Sequence, residues 1–390
     1  MTRSGSAGRT VLVVEDGSGG TALAAVRALG AAGRRVVLAS STGSYAARSR
    51  SCAAALTVRP AQDPAGHVAD VAAACRAHAV DVVLPCGDAE LLALSAAREL
   101  PGAPRLPLAL PPHDAVLRAF DKRALAAAAQ QVGLGVPAAP AGRLPVVVKP
   151  ATRHGDRGRG PAPTVLAHTA GQAAAAAQAL AARGLVAVQQ QQVEGTLIAL
   201  VVLLGRDGRV LARLQQSADR VYPLGAGNLV RGRTVAVQED LAARVVALLR
   251  ALGWYGLAQV ELVRPAGGEP VVLDLNGRPY GSLGLALAAG VDLPDRWLRD
   301  ALDLPATPYA EARTGVTYQA REQDLRRALA ARSPSLAADV LDTLRVRPDA
   351  GQVWAPHDPG PLLAFAGQLA RRAAARLPRP SLPLPSLQAA

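Results

Sequence analysis

The stretch Trp254-Tyr255-Gly256-Leu257-Ala258-Gln259-Val260-Glu261-Leu262-Val263, continued by Val271-Val272-Leu273-Asp274-Leu275-Asn276-Gly277-Arg278-Pro279, decides how the chain is read. Two short apolar runs with period-two alternation flank Pro265-Ala266-Gly267-Gly268, a pattern that predicts a β-hairpin. Glu261 lies in the first strand, while Asp274 and Asn276, two apart, share one face of the second. Two carboxylates and an amide on one patch are costly unless a cation sits between them. Oxygen-only ligands of this kind suit Mg²⁺, which takes one or two carboxylates and completes its shell with substrate phosphates. Arg278 faces the same way and can reach a phosphate oxygen. A solvated hairpin face with scattered polar residues accounts for the letters equally well.

Outward from the hairpin, 390 residues suffice for two or three domains with a substantial core. Half of the chain is apolar, with two Phe and one Met, so aliphatic cores are expected. Cys52, Cys75 and Cys86 have neither metal-ligand spacing nor an even count, which argues against a disulfide framework or a zinc site. With no apolar leader and no run of membrane-spanning length, a soluble cytoplasmic protein is the expectation. The net charge of +13 does not imply nucleic acid, because the arginines are dispersed and no stacking-aromatic motif accompanies them.

The basic residues carry a sharper signal. Of 43, only Lys122 and Lys149 are lysines. A chain that otherwise uses arginine keeps a compact, flexible ammonium at two places, where a planar fork would not serve. Lys149 ends the apolar strand Leu144–Pro150, where an unpaired ammonium is expensive unless an anionic ligand meets it. The next residues, Ala151-Thr-Arg153-His154-Gly155-Asp-Arg-Gly158-Arg-Gly160, form a glycine- and cation-rich loop suited to phosphates, or simply a basic surface hairpin.

The N-terminal region reads as a βαβ start: strand Thr10–Val14, a glycine turn through Gly17-Ser18-Gly19-Gly20, helix Thr21–Ala31 and strand Arg35–Ala39. The turn is not GxGxxG in frame and no acid ends the second strand to hold a ribose, which disfavours a nicotinamide-dependent oxidoreductase. Asp88 follows the strand Asp81–Pro85, as a substrate contact or a helix-capping residue. Ala115–Gln131 is expected as a helix, and Ser217–Arg233 as a loop whose Arg220, Arg231 and Arg233 are candidates for an anionic substrate or a γ-phosphate.

The ordered set now resembles a family. It comprises a Lys in a helix, a Lys ending a strand, a glycine loop, a strand ending in Gln-Gln-x-Val-x-Gly, and Glu261, then Asp274-x-Asn276-x-Arg278 on the next strand. This resembles the ATP-grasp ligases, in the carbamoyl-phosphate-synthase-like branch with its carboxylate–amine ligases, over roughly residues 1–305. The resemblance implies an α/β protein with a Rossmann-like pre-ATP-grasp domain (1–112) and an α+β ATP-grasp domain (113–304). A small helical C-terminal extension (305–377) and a disordered Pro-rich tail (378–390) would follow. In its final helix Arg371, Arg372 and Arg376 lie beside an Ala/Leu face, which suits packing against the body or an anionic surface.

By resemblance, Lys122 and Lys149 contact ATP phosphates under a mobile loop that includes Arg153, His154, Gly155, Gly158 and Gly160. Gln190, Gln191, Gln192 and Val193 form the hinge around adenine. Glu261, Asp274 and Asn276 hold Mg²⁺ (or Mn²⁺), and Arg278 stabilises the transferred phosphoryl group, with Lys149 also catalytic. The implied reaction activates a carboxylate as an acyl phosphate for attack by an amine, with small-molecule partners, no nucleic acid, and a homodimer as one arrangement. Leu197 stands where the family carries a ribose-binding Glu, and Asp274 where Glu is commoner. A degenerate nucleotide binder and a bicarbonate-using carboxylase or carbamoyl-phosphate enzyme remain as alternatives.

Overall fold

The computed structural model describes residues 8–152, 162, 164–309, 311–331 and 334–374. The glycine-loop residues Arg153, His154, Gly155, Gly158 and Gly160, and the tail from 378, lie outside them. The protein is a mixed α/β structure with three sheets.

The first sheet holds β1 (Thr10–Glu15), β2 (Arg35–Ser40), β3 (Cys52–Thr57) and β4 (Val82–Pro85), all parallel in the order β3-β2-β1-β4. β1 and β4 are buried throughout, as their unbroken apolar runs require when helices cover both faces. Strand β3 alternates half-buried and exposed small residues, Cys52 to Thr57, too weak a pattern to be read from sequence.

The second sheet has order β6-β5-β7, from β5 (Val146–Pro150), β6 (Val165–Ala167) and β7 (Ala187–Gln191). The third has seven strands, β12-β11-β8-β9-β10-β13-β14. These are β8 (Thr196–Leu204), β9 (Val210–Tyr222), β10 (Asn228–Val235), β11 (Gly256–Arg264), β12 (Val271–Asn276), β13 (Thr317–Gln319) and β14 (Ala350–Gly351). The expected hairpin is β11–β12, antiparallel with Glu261 opposite Asp274 and Gln259 opposite Asn276.

Two expectations change. Residues 217–233 are not a loop: β9 and β10 pair from Gln215–Val235 to Tyr222–Asn228, around a turn with Pro223, Gly225 and Gly227. Their polar side chains hid the strands because one face meets charged groups rather than the apolar core. The helix expected over 115–131 is two, His113–Phe120 and Lys122–Gln131, broken at Asp121. Asp121 has extended backbone and its Oδ1 accepts N–H bonds from Arg123 and Ala124 at 2.7 and 3.3 Å, capping the second helix. Lys122 is therefore in the first turn of a helix rather than midway along one.

One apolar cluster runs from Leu12 and Val14 of the first sheet through Val116, Phe120 and Leu125 to Leu200, Trp254 and Val260 of the third. It fixes the two sheets against each other. Among the described residues no helix is long and apolar enough to cross a membrane.

Candidate active site

The hairpin's register slips between Glu261 and the next pair, since Leu262 faces Val272 and leaves Leu273 as an extra residue. The bulge matters because the Leu273 carbonyl accepts a hydrogen bond from Lys149 Nζ at 3.1 Å. Lys149, 8% exposed, projects from the end of β5, and Lys122, 6% exposed, pairs with Asp274 Oδ1. The backbone N–H of Lys122 donates to Ala151 O at 2.8 Å, so the helix start is tied to the end of β5. The two lysines, 27 positions apart in sequence, thus converge on one strand.

Asn276 is buried and its Nδ2 donates to Gln259 Oε1 at 3.1 Å, which fixes its Oδ1 toward the Arg278 guanidinium, 3.4 Å away. Gln259 is a positioning residue that sequence reading passed over; its place two before Glu261, directly across from Asn276, was the available signal. Arg278 donates through Nε and Nη2 to Asp88 Oδ1 and Oδ2 at 2.8 and 3.2 Å, and through Nη1 to Pro279 O at 2.9 Å. Asp88, in the first turn of helix Asp88–Ala97, therefore brings the first sheet to the hairpin. Gly277 between them is required by close approach: a Cβ there would lie 2.1 Å from Trp254 Cη2.

The donor set for a divalent cation is two carboxylates opposed across β11–β12 and one amide, all oxygen, which fits Mg²⁺ chemistry. Lys122 on Asp274 marks where positive charge is already needed.

In the stretch expected as the hinge, Gln190 pairs with Val147 in the β5–β7 ladder. Gln191 donates its backbone N–H to Ala138 O at 2.8 Å and its Nε2 to Pro145 O at 3.1 Å. Its Oε1 is buried with no hydrogen-bond partner among the described residues, an acceptor suited to an incoming N–H. Gln192 N–H reaches Pro145 O at 3.4 Å, and Gln192 and Val193 are half-buried beyond the strand end. Leu197 is half-buried at the start of β8, opposite Val263.

Arg220, Arg231 and Arg233 are not brought to this cluster as free cations. Arg231 pairs with Asp324 at 2.8 Å and Asp342 at 2.7 Å, and Arg220 with Asp339 at 2.9 Å and Asp342 at 2.8 Å. Arg233 pairs with Asp219. Asp324 is fully buried, and Gln319 Nε2 donates to it at 2.8 Å. The helices Arg321–Ala330 and Leu336–Arg345 supply the acids for Arg220 and Arg231, so these two candidates for an anionic substrate or a γ-phosphate are engaged by the protein itself. Helix Gly360–Ala374 packs on the short turn Tyr45–Arg48 that follows β2, with Phe365 edge-on to Tyr45 at 5.2 Å.

Lys149 at the end of β5 and Lys122 at a helix start, both meeting an acid–acid–amide hairpin that is joined to a parallel sheet, mark the architecture. The chain has the ATP-grasp ligase fold. Solved structures with this fold include the biotin carboxylase domain of Hydrogenobacter thermophilus 2-oxoglutarate carboxylase, described with MgADP and bicarbonate, at TM-score 0.61 and 16% identity, covering 79% of this chain and 73% of that one. The L-amino acid ligase of Bacillus licheniformis gives 0.57 and 17%, covering 75% and 74%. N5-carboxyaminoimidazole synthetase of Staphylococcus aureus gives 0.56 and 12%, covering 77% and 79%. No protein-family model matches the chain. No curated protein sequence matches it. At these identities the ATP-grasp likeness is one of fold.

Proposed function

We propose that this ATP-grasp protein is an ATP- and Mg²⁺-dependent ligase that activates a carboxylate as an acyl phosphate and joins it to an amine. The observation that carries this reading is the convergence of both lysines of the chain on the β12 strand that bears Asp274 and Asn276. Phosphoryl transfer needs positioning and charge neutralisation more than covalent participation by the protein. Lys149 and Lys122 would hold the phosphates, Gln190 to Val193 the adenine, and Arg278 the transferred phosphoryl group as its oxygen bonds exchange. The loop with Arg153, His154, Gly155, Gly158 and Gly160 would cover them. Glu261, Asp274 and Asn276 would hold Mg²⁺, which supplies Lewis-acid neutralisation of the phosphate oxygens. The carboxylate's oxygen takes the γ-phosphoryl group with loss of ADP. The amine nitrogen then forms a C–N bond as inorganic phosphate departs.

The division into a Rossmann-like domain, an ATP-grasp domain and a C-terminal extension suits this assignment, with the substrates meeting between the first two. Three free thiols, Cys52, Cys75 and Cys86, suit a cytoplasmic setting, and a homodimer is compatible with it. The one reported neighbour described with bicarbonate keeps a carboxylase as the second reading.

The test is thermal unfolding of wild type and Lys149→Ala with and without ATP and Mg²⁺. At 100 times the dissociation constant a ligand adds about 2.7 kcal/mol of stability. A Mg²⁺-dependent shift in wild type, absent in the variant, is expected. No shift in either would defeat the ligase reading, and ATP turnover stimulated by bicarbonate alone would favour the carboxylase.

A further inference from the structure

Helix Leu336–Arg345 is turned inside out. At about 100° per residue, Leu336, Ala337, Leu341 and Leu344 fall within one sector of about 140°. A helix packed on a globular protein ordinarily turns such a stripe toward the core. Here the other face meets the protein. Thr343 is fully buried, Asp339 pairs with Arg220 and Arg327, and Asp342 pairs with Arg220 and Arg231. Gln319 Nε2 donates to Thr343 O at 3.0 Å, and Thr343 Oγ1 donates to Asp339 O at 2.9 Å. The arginines of β9 and β10 draw the acids of this helix inward and leave its leucines outside.

Leu336, Leu341 and Leu344 are 37, 43 and 52% exposed, and Leu329, in the last turn of helix Arg321–Ala330, is 56% exposed. The unpaired charges at the end of the stripe are positive: Arg345 and Arg347 are exposed and make no ion pair among the described residues. Nearby acids are engaged, Glu322 by Arg326 and Asp349 by the N–H and Oγ1 of Thr317, both at 2.8 Å. Magnitude decides what fits this face. Four partly exposed leucines, at about 60–120 Å² for a whole side chain, present roughly 100–200 Å². A stable protein interface takes about 800 Å² from each partner. Antiparallel pairing with a second copy would also bring Arg345 to the start of the other helix, where the dipole is positive. A fluid anionic surface makes neither demand, since each leucine inserts by itself and each arginine meets a phosphate at the boundary.

We propose that the leucine face of helix Leu336–Arg345 is a peripheral docking surface for an anionic lipid bilayer. The surface lies outside the candidate active site and does not depend on the ligase reading. Its hold is weak and reversible, on the order of the 10⁴ M⁻¹ of a single myristoyl chain.

The experiment is flotation of the full chain with vesicles of phosphatidylcholine and phosphatidylglycerol in equal parts, and with vesicles of phosphatidylcholine alone. Wild type should bind the mixed vesicles and bind the neutral ones several-fold less. The double variant Leu341→Ser, Leu344→Ser keeps the charge of the chain and should bind at least tenfold more weakly. Its unfolding midpoint should stay near that of wild type, because both side chains are exposed. Arg345→Gln and Arg347→Gln should each weaken binding to the mixed vesicles about fivefold. These two variants leave the leucines in place and decide the matter if the double variant does not fold. Absence of binding to the mixed vesicles, equal binding to both lipids, or a folded leucine variant that binds like wild type would overturn the proposal. So would a dimer in sedimentation velocity that the leucine variant dissolves, which would assign the face to a second copy.

Discussion

Arg278 and Asp88, 190 positions apart, share two parallel hydrogen bonds at 2.8 and 3.2 Å. The pair couples the end of the hairpin that carries Glu261, Asp274 and Asn276 to the first turn of the helix that follows β4. A planar guanidinium held on one edge by a carboxylate has a fixed orientation, and with Asn276 and Pro279 also accepting from it one Nη1 N–H is left over.

Asp88→Asn keeps the size of the side chain but removes the charge that orients Arg278. The expected result is a kcat lowered by about 10²-fold, the scale of a misplaced catalytic group, with nucleotide binding nearly unchanged. ATP turnover and a nucleotide thermal shift on the same preparation check this; a fall in both together would mean that Asp88 supports the fold rather than the arginine.

Lys122 already neutralises Asp274, so Mg²⁺ alone should bind weakly until phosphates draw the ammonium away. In Lys122→Met the carboxylate is left for a metal ion, and Mn²⁺ binding without nucleotide should tighten by about tenfold, as expected when a competing cation of unit charge is removed. Paramagnetic titration with Mn²⁺ reads this, and an unchanged affinity would refute it.

Asp324 is fully buried between Arg220, Arg231 and Arg327. These arginines, with Gln319, hold its carboxyl below the usual range against the cost of burial. Asp324→Ala leaves those arginines with Asp339 and Asp342 as remaining partners and should cost about 3 kcal/mol, measured by urea unfolding. A folded pKa below the unfolded one means this contribution is present above the unfolded pKa and is lost as pH falls through the folded one, so the wild type should lose stability on acidification and the variant less so.

Glu90 behaves oppositely. Its folded pKa, raised by burial first to about 7 from 4.5, means the folded state retains a proton that the unfolded state gives up. Stability is undiminished below about 4.5 and falls across 4.5–7 at up to about 1.4 kcal/mol per pH unit. Glu90→Gln should flatten that slope, which thermal unfolding at pH 5, 6 and 7 would reveal; an unchanged slope would place the titration elsewhere.

The letters around residues 254–279 were enough for the hairpin and the shared face of Asp274 and Asn276, and composition singled out the two lysines that the fold brings to that strand. Period-two alternation, turn chemistry and burial cost are local, so they are written in sequence. Strand β10 and the second half of β9, beyond Gln215, escaped because their polar faces are partnered by acids more than 80 residues downstream, and a pattern rule sees only apolar partners. The split at Asp121 was legible as a capping residue, but the helical periodicity on both sides concealed it.

Sequence alone therefore determined which residue types are available for phosphate and for a hard cation, and that the body is built of strands and helices. Only tertiary structure decided allegiance. It took Arg220 and Arg231 from substrate and gave them to the C-terminal helices, and it turned Asp88 from a capping candidate into the partner of Arg278. It also buried Glu15 and Glu90. Charge pairing acts over a few ångströms, and which charges come within that distance depends on how sheets pack, not on how residues are spaced.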